Sequence, residues 1–265
     1  MKLSISNIGW DKENDENVYE LMKKYNFSGL EIAPTRIFPE EPYDKITEAK
    51  IWYESLKKNY DFEIPSMQSI WFGRCERIFA SDEEREFLVK YTKKAIVFAE
   101  SINCKNLVFG CPRNRNLLEN ENSDVGVSFF KEIGDYAYEH NTVIGMEANP
   151  TIYNTNYIND TASALELIEN VNSKGFLLNL DLGTIIFNDE NIDILKGKVK
   201  YINHIHISEP NLKPIEKRNL HQKLKNIIEN EEYNKYISIE MGKIEELEVI
   251  EEKLKYIGGV FNAWN

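Results

Sequence analysis

The sequence predicts a (β/α)8 barrel, an α/β fold in which one domain spans residues 1–265, and three observations carry that prediction. Short β-branched or apolar runs alternate with longer stretches of helical spacing, the rhythm of repeated βα units. Eight such runs fall within 265 residues, about 33 residues per unit, which suits a barrel of roughly 250 residues. No glycine-rich phosphate loop follows any of the runs, which argues against a doubly wound open sheet.

Taken in order, the strands are "LSISNIG" at 3–9, "GLEIAP" at 29–34, "IPSMQSIW" at 64–71 and "NLVFGCP" at 106–112. "TVIGMEAN" at 142–149, "GFLLNLDLG" at 175–183, "YINHIHIS" at 201–208 and "YISIEM" at 236–241 complete the set. The stretches between them carry helix starts. In "SDEEREFLVKYTKKAIVFAESI", Ser81 suits an N-cap, and Asp82, Glu83 and Glu84 suit the positive end of the helix that follows. "NDTASALELIENV" opens in the same way.

Composition narrows the function classes. A chain that is 42% hydrophobic and 12% aromatic can bury a large core. Its 32 Lys+Arg against 44 Asp+Glu give a net charge of −12, with the acids scattered along the chain, so a nucleic-acid partner is not expected. Cys75, Cys104 and Cys111 show no CxxC spacing and cannot all pair, which points to a reducing compartment. The first residues lack the apolar stretch of a signal peptide, and no run of 18 uncharged apolar residues occurs, so the expected protein is soluble, cytoplasmic and without a membrane partner. Apolar faces on the outer helices would be compatible with a homo-oligomer.

The last four strands separate their faces by alternation. Ile144, Met146 and Ala148 alternate with Gly145, Glu147 and Asn149, and Leu178, Leu180 and Leu182 alternate with Asn179, Asp181 and Gly183. Ile205 and Ile207 stand against His204, His206 and Ser208; Ile237 and Ile239 stand against Ser238 and Glu240. With the polar set inward, each strand sends an ionisable side chain into the barrel near its C-terminal end, where barrel enzymes place their sites. Three carboxylates converging there lose hydration at a cost of several kcal/mol per ion unless something positive lies between them. Glu147, Asp181 and Glu240 with one neutral imidazole form an oxygen-rich set suited to one divalent ion: Mn2+, Mg2+ or Co2+ more than a thiolate-type site, with Zn2+ also open. Each residue has an ordinary alternative, since Glu147 could pair with Arg113 or Arg115, Asp181 could cap a helix, and His204 could be a hydrogen-bonded core histidine.

At these residues the sequence resembles the xylose isomerase-like superfamily of sugar phosphate isomerases and epimerases. The similarity runs through "GLEIAPTRIF", "SMQSIWFGR", "LVFGCPRNR", "MEANPTIY", "LNLDLGT", "HIHISEPNL" and "ISIEM". The resemblance implies that Glu147, Asp181, His206 and Glu240 bind the metal, with His206 chosen because it directly precedes "ISEP", and that His204 supports it or faces substrate. It further implies a catalytic pair, Glu147 and Glu240, one removing a proton alpha to a substrate carbonyl and the other returning it. The implied ligand is a small carbohydrate, sugar phosphate or related polyol. Dehydration of an inosose-type polyol, or sugar binding without turnover, are the alternatives. A DNA-repair endonuclease of this superfamily would need a multi-zinc cluster of many histidines, and this chain has four. The sequence departs from ketose 3-epimerases at two substrate-handling positions, where Thr184 and Leu212 replace a histidine and an arginine.

Further substrate-binding candidates are Arg113 and Arg115 for a phosphate or carboxylate, Gln68 and Glu31 by inward alternation, Trp71 as a wall for a sugar ring, Asn149 at the end of the fifth strand and Tyr153 beyond it. Lys213, Lys217 and Arg218 lie in the loop after the seventh strand, where barrels often hold phosphate. His221 starts the next helix and could lean over the site.

Overall fold

The computed structural model describes residues 1–261. Its sheet comprises β1 (Lys2–Ser6), β2 (Gly29–Glu31), β3 (Leu107–Phe109), β4 (Ile144–Met146), β5 (Phe176–Asp181), β6 (Ile202–Ile207) and β7 (Tyr236–Ile239). Every pairing is parallel, in the order β2-β1-β7-β6-β5-β4-β3. Between them run α1 (Asp15–Lys24), α2 (Pro34–Ile37), α3 (Ile46–Tyr60), α4 (Asp82–Ser101), α5 (Asp124–Glu139), α6 (Thr161–Val171), α7 (Leu182–Asn188), α8 (Asn219–Asn230) and α9 (Leu247–Val260).

The expected third strand, 64–71, is a correction: it forms isolated bridges instead of a continuous ladder. Gly29 bridges Glu63, Ile32 bridges Met67, and Met67 bridges Leu107, so residues 63–67 close the curled sheet between β2 and β3. Two physical reasons keep this stave irregular. Pro65 has no N–H to donate, and the register slips by one residue between the Gly29 and Ile32 bridges, the mark of a bulge. The backbone still finds partners, with Gln68 N–H donating to Ile32 O at 2.8 Å and Val108 N–H to Met67 O at 2.8 Å.

Helix starts follow local chemistry. Ser81 Oγ accepts the Glu84 N–H at 3.2 Å at the head of α4, and Asp160 and Ser163 form a capping box at the head of α6. The layer between sheet and helices is aromatic on one side: Phe109 packs edge-on against Trp71 and Phe130, with centroids 4.8 and 4.9 Å apart, and Phe130 stacks on Phe176 at 4.9 Å. Each such ring contributes about 1.5–3 kcal/mol by burial. Gly175 permits close approach of the α5 backbone, since a Cβ there would lie 2.0 Å from Gly134 O. Among the described residues no helix is long and apolar enough to cross a membrane.

Candidate active site

Glu147 follows β4, Asp181 ends β5, His206 lies on β6 and Glu240 follows β7. These four consecutive staves bring one ligand atom from each residue to within 4.8 Å of the others. His206 is central. Its Nδ1 lies 3.0 Å from Glu147 Oε2 and 3.1 Å from Glu240 Oε2, while its Nε2 lies 2.9 Å from Glu31 Oε2.

Neutral donors also hold the oxygens of Glu147 and Asp181. Asn149 Nδ2 donates to Glu147 Oε1 at 3.0 Å, and Asn179 Nδ2 donates to Glu147 Oε2 at 2.7 Å. Asp181 also acts as the N-cap of α7: its Oδ2 accepts the Thr184 N–H and hydroxyl, both at 2.8 Å, and its Oδ1 accepts the Ser208 hydroxyl. Ser208 Oγ accepts the Gly183 N–H at 2.8 Å. The helix-cap reading of Asp181 and its place in the cluster therefore coexist.

Electrostatics show the strain of crowding acids together. Burial, reinforced by Glu147, pushes the Asp181 carboxyl up to about 6. Burial also pushes Glu240 up to about 7, where Glu147 and Asp181 add to the rise and His206 opposes it. At His206 burial disfavours the charge, but Glu240, Glu31 and hydrogen bonds to Glu147 and Glu240 outweigh it and hold the imidazole well above its usual range. Three carboxylates crowded around one imidazole are the donor chemistry that a divalent cation fits.

The cleft above these groups has a volume of about 110 Å³ and is lined by Pro112, Asn149, Tyr153, Ser208, Glu209 and Leu212 with the three carboxylates. Tyr153 Oη accepts the Asn211 N–H at 2.9 Å, and burial pushes the phenol up to about 12. Of the two departures noted in the sequence, Leu212 lines this cleft and Thr184 is buried behind Asp181. Thr184 is spent on Asp181 and on Ala148 O, at 2.8 Å each, and Leu212 gives the cleft an apolar wall.

Several residues expected to meet substrate lie elsewhere. Glu31 has no exposed surface; it sits beneath the histidines, where Oε1 accepts Gln68 Nε2 at 3.1 Å and Oε2 faces both imidazoles. Gln68 is tied to Ser6 Oγ at 2.8 Å as well, and His204 Nε2 is spent on Glu31 and on Ser238 Oγ at 2.9 Å. None of these three lines the cleft. Trp71 points outward, donating its indole N–H to Thr92 on α4 at 2.9 Å, because Ser69 at φ 56° takes the chain out of the extended conformation and ends the alternation. Arg115 is fully buried, donating to Glu147 O at 2.7 Å and to Asn149 Oδ1 at 2.9 Å, so it buttresses the cleft from behind. Arg113 is exposed and does not line the cleft.

The loop after β6 gives no free phosphate clamp. Arg218 is paired through two bonds, 2.7 and 2.6 Å, with Glu209, while Lys213 and Lys217 are exposed and do not line the cleft. His221 is fully buried in α8 against Tyr256, its Nδ1 2.9 Å from the phenol oxygen. Sequence reasoning assigned no role to Asn179, Ser208 or Glu209. Asn179 and Ser208 belong to the inward polar set, which was the available signal; the placement of Glu209 depends on the fold of the loop.

The parallel barrel, closed by an irregular stave and carrying an acid-and-histidine cluster at the C-terminal ends of its strands, defines a class of protein in which a polar site is built on a rigid eight-staved frame. Residues 19–258 match the family model for the xylose isomerase-like TIM barrel, and the chain belongs to that family. Its structure is similar to that of 3-keto-D-glucoside 4-epimerase from E. coli, with a TM-score of 0.75 and 17% identity over 99% of each chain. It is also similar to D-psicose 3-epimerase from Clostridium cellulolyticum H10 in complex with D-tagatose, with a TM-score of 0.72 and 14% identity over 100% of this chain and 90% of that one. A third similar structure is the IOLI protein with a bound zinc atom, with a TM-score of 0.72 and 16% identity over 99% and 95% of the two chains. Comparison with curated proteins finds no match.

Proposed function

We propose that this protein is a divalent-metal-dependent isomerase or epimerase acting on a sugar or related polyol. The observation that carries the reading is the convergence of Glu147, Asp181, His206 and Glu240 within 4.8 Å of one another at the mouth of the barrel, the three carboxylates lining a cleft. Mn2+, Mg2+, Co2+ and Zn2+ all suit three carboxylates and one imidazole. The names of the similar structures, sugar epimerases and a zinc-binding protein, support the same reading.

A divalent cation held by these four residues would polarise a substrate carbonyl and offset the charge that develops on its oxygen. The proton traffic belongs to the chain. Glu147 and Glu240 come from strands separated by two others and both line the cleft, so one removes the proton alpha to the carbonyl while the other returns it. Asn149 and Asn179 fix the two oxygens of Glu147, and Pro112 and Leu212 give the cleft apolar walls.

The test is divalent metal per chain after dialysis against Mn2+, comparing the native protein with Asp181→Asn and His206→Ala. About one ion per native chain, lost in both variants, is the expected result on the ligand count of such sites. A native protein that retains no Mn2+ would remove the reading. Incubation with ketoses, aldoses and inososes then distinguishes isomerisation, which leaves product mass unchanged, from dehydration, which lowers it by one water.

A further inference from the structure

The barrel interior carries a line of side-chain amides that all point one way. At the N-terminal mouth, Lys235 lines a cavity of about 350 Å³, opposite the catalytic cleft. Its Nζ donates to Asn203 Oδ1 at 3.0 Å and to Ile202 O at 3.2 Å. Asn203 Nδ2 donates to Asn106 Oδ1 at 2.9 Å, Asn106 Nδ2 donates to Asn179 Oδ1 at 3.2 Å, and Asn179 Nδ2 donates to Glu147 Oε2 at 2.7 Å. The line thus runs from an ammonium at one mouth of the barrel to a carboxylate at the other.

Its direction is not arbitrary. An ammonium can only donate and a carboxylate can only accept, so the two ends dictate the orientation of the three amides between them. Reversing any one would set N–H against N–H on one side and oxygen against oxygen on the other. Side bonds agree with that direction: Asn203 Nδ2 also donates to Lys105 O at 3.1 Å, and Asn106 Nδ2 also donates to Ser66 Oγ at 3.1 Å. The sheet leaves room for the central link at Gly145, where a Cβ would lie 2.5 Å from Asn106 Oδ1 and 3.1 Å from Asn179 Cβ. Among the described residues Lys235 forms no ion pair, so the amide line is its route to a carboxylate.

We propose that Lys235, Asn203, Asn106 and Asn179 are positioning residues that hold Glu147 in its ligating geometry from the opposite mouth of the barrel. The inference rests on Glu147 being a ligand of the divalent cation. Amides in series within a low-dielectric interior polarise one another, so the lysine strengthens the last donor, Asn179, against Glu147 Oε2. Partners of ligating carboxylates set metal affinity in this way without touching the metal.

The experiment uses the full chain with Lys235→Met, which alters the solvent end of the line, and Asn106→Leu, which removes its middle link. Three quantities are measured: Mn2+ affinity by titration calorimetry, Tm of the metal-free protein, and the side-chain amide resonance of Asn179 in 15N-labelled metal-free protein. Mn2+ binding is expected to weaken about threefold to tenfold in Lys235→Met and about tenfold in Asn106→Leu, with the Asn179 resonance displaced in both. Charge alone has the opposite sign, because deleting a lysine should tighten a nearby cation. Weaker binding in Lys235→Met therefore reports orientation. Affinity that is unchanged or tighter in both variants overturns the proposal, whatever happens to Tm. If the native protein takes up no Mn2+, the metal reading fails by itself and the Asn179 resonance decides: a resonance unmoved by Lys235→Met overturns the positioning line, and a displaced one upholds it. Should Asn106→Leu not fold, Lys235→Met carries the test alone.

Discussion

Oε2 of Glu31 lies 2.9 Å from Nε2 of His206, and neither side chain has any exposed surface. The carboxylate can only accept, so it requires a proton on Nε2 and turns Nδ1 toward Glu147 and Glu240. Glu31→Gln keeps the shape but removes the charge that enforces this arrangement. Mn2+ affinity measured by calorimetry should fall about 10- to 100-fold, the usual cost of losing the partner of a metal-binding histidine. Native affinity in this variant would show that other contacts orient the ring.

Asp181 serves both the cluster and the cap of α7, and the two roles separate by pH. Its carboxyl is raised in the folded state to about 6, so its contribution to stability is present at low pH and is lost as pH rises through that value. At pH 8 the metal-free native protein therefore carries an unfavourable charge that Asp181→Asn removes while keeping an oxygen for the cap. The metal-free variant should melt at the same temperature as the native protein or above it at pH 8. Added Mn2+ should raise Tm of the native protein only. A metal-free variant melting more than about 5 °C lower would mean that the cap depends on the charge, on the scale of a lost N-cap.

His221 predicts an acid-sensitive stability away from the acid-and-histidine cluster. Burial pushes its imidazole down to about 4, with Glu209 opposing and Arg218 adding to the fall. The unfolded chain takes up the proton near 6.5, so the stability from the neutral ring is present above that pH and is lost as pH falls toward 4. The gap corresponds to roughly 3 kcal/mol. Urea unfolding at pH 7 and pH 4.5 should show a smaller loss in His221→Phe than in the native protein. Equal losses would locate the acid sensitivity elsewhere.

Much of the fold is written in local patterns. Period-two alternation places Glu147, Asp181, His206 and Glu240 on one face because successive side chains of an extended strand must point oppositely. Where the backbone leaves that conformation, the inference fails. Ser69 turns left-handed, so Trp71 packs under α4, and Pro65 with a register slip converts the third strand into bridges.

Depth is a different matter. Alternation says that Glu31, Gln68 and His204 face inward, yet it carries no information about how far along the barrel axis each lies. That height depends on the stagger between strands, including the shift between Leu178 and Asn179 against β6. The same is true of Arg115 and of the amides from Asn203 to Asn179, whose partners are distant in sequence. The order of residues along the chain was enough for the class of fold, the inward face and the three acids with two candidate histidines, because these follow from nearest-neighbour backbone geometry, and the choice of His206 over His204 came from the family resemblance. Tertiary packing alone decided which polar groups meet the cleft and which are buried behind it, because hydrogen bonds between strands depend on register, and register is a property of the closed sheet.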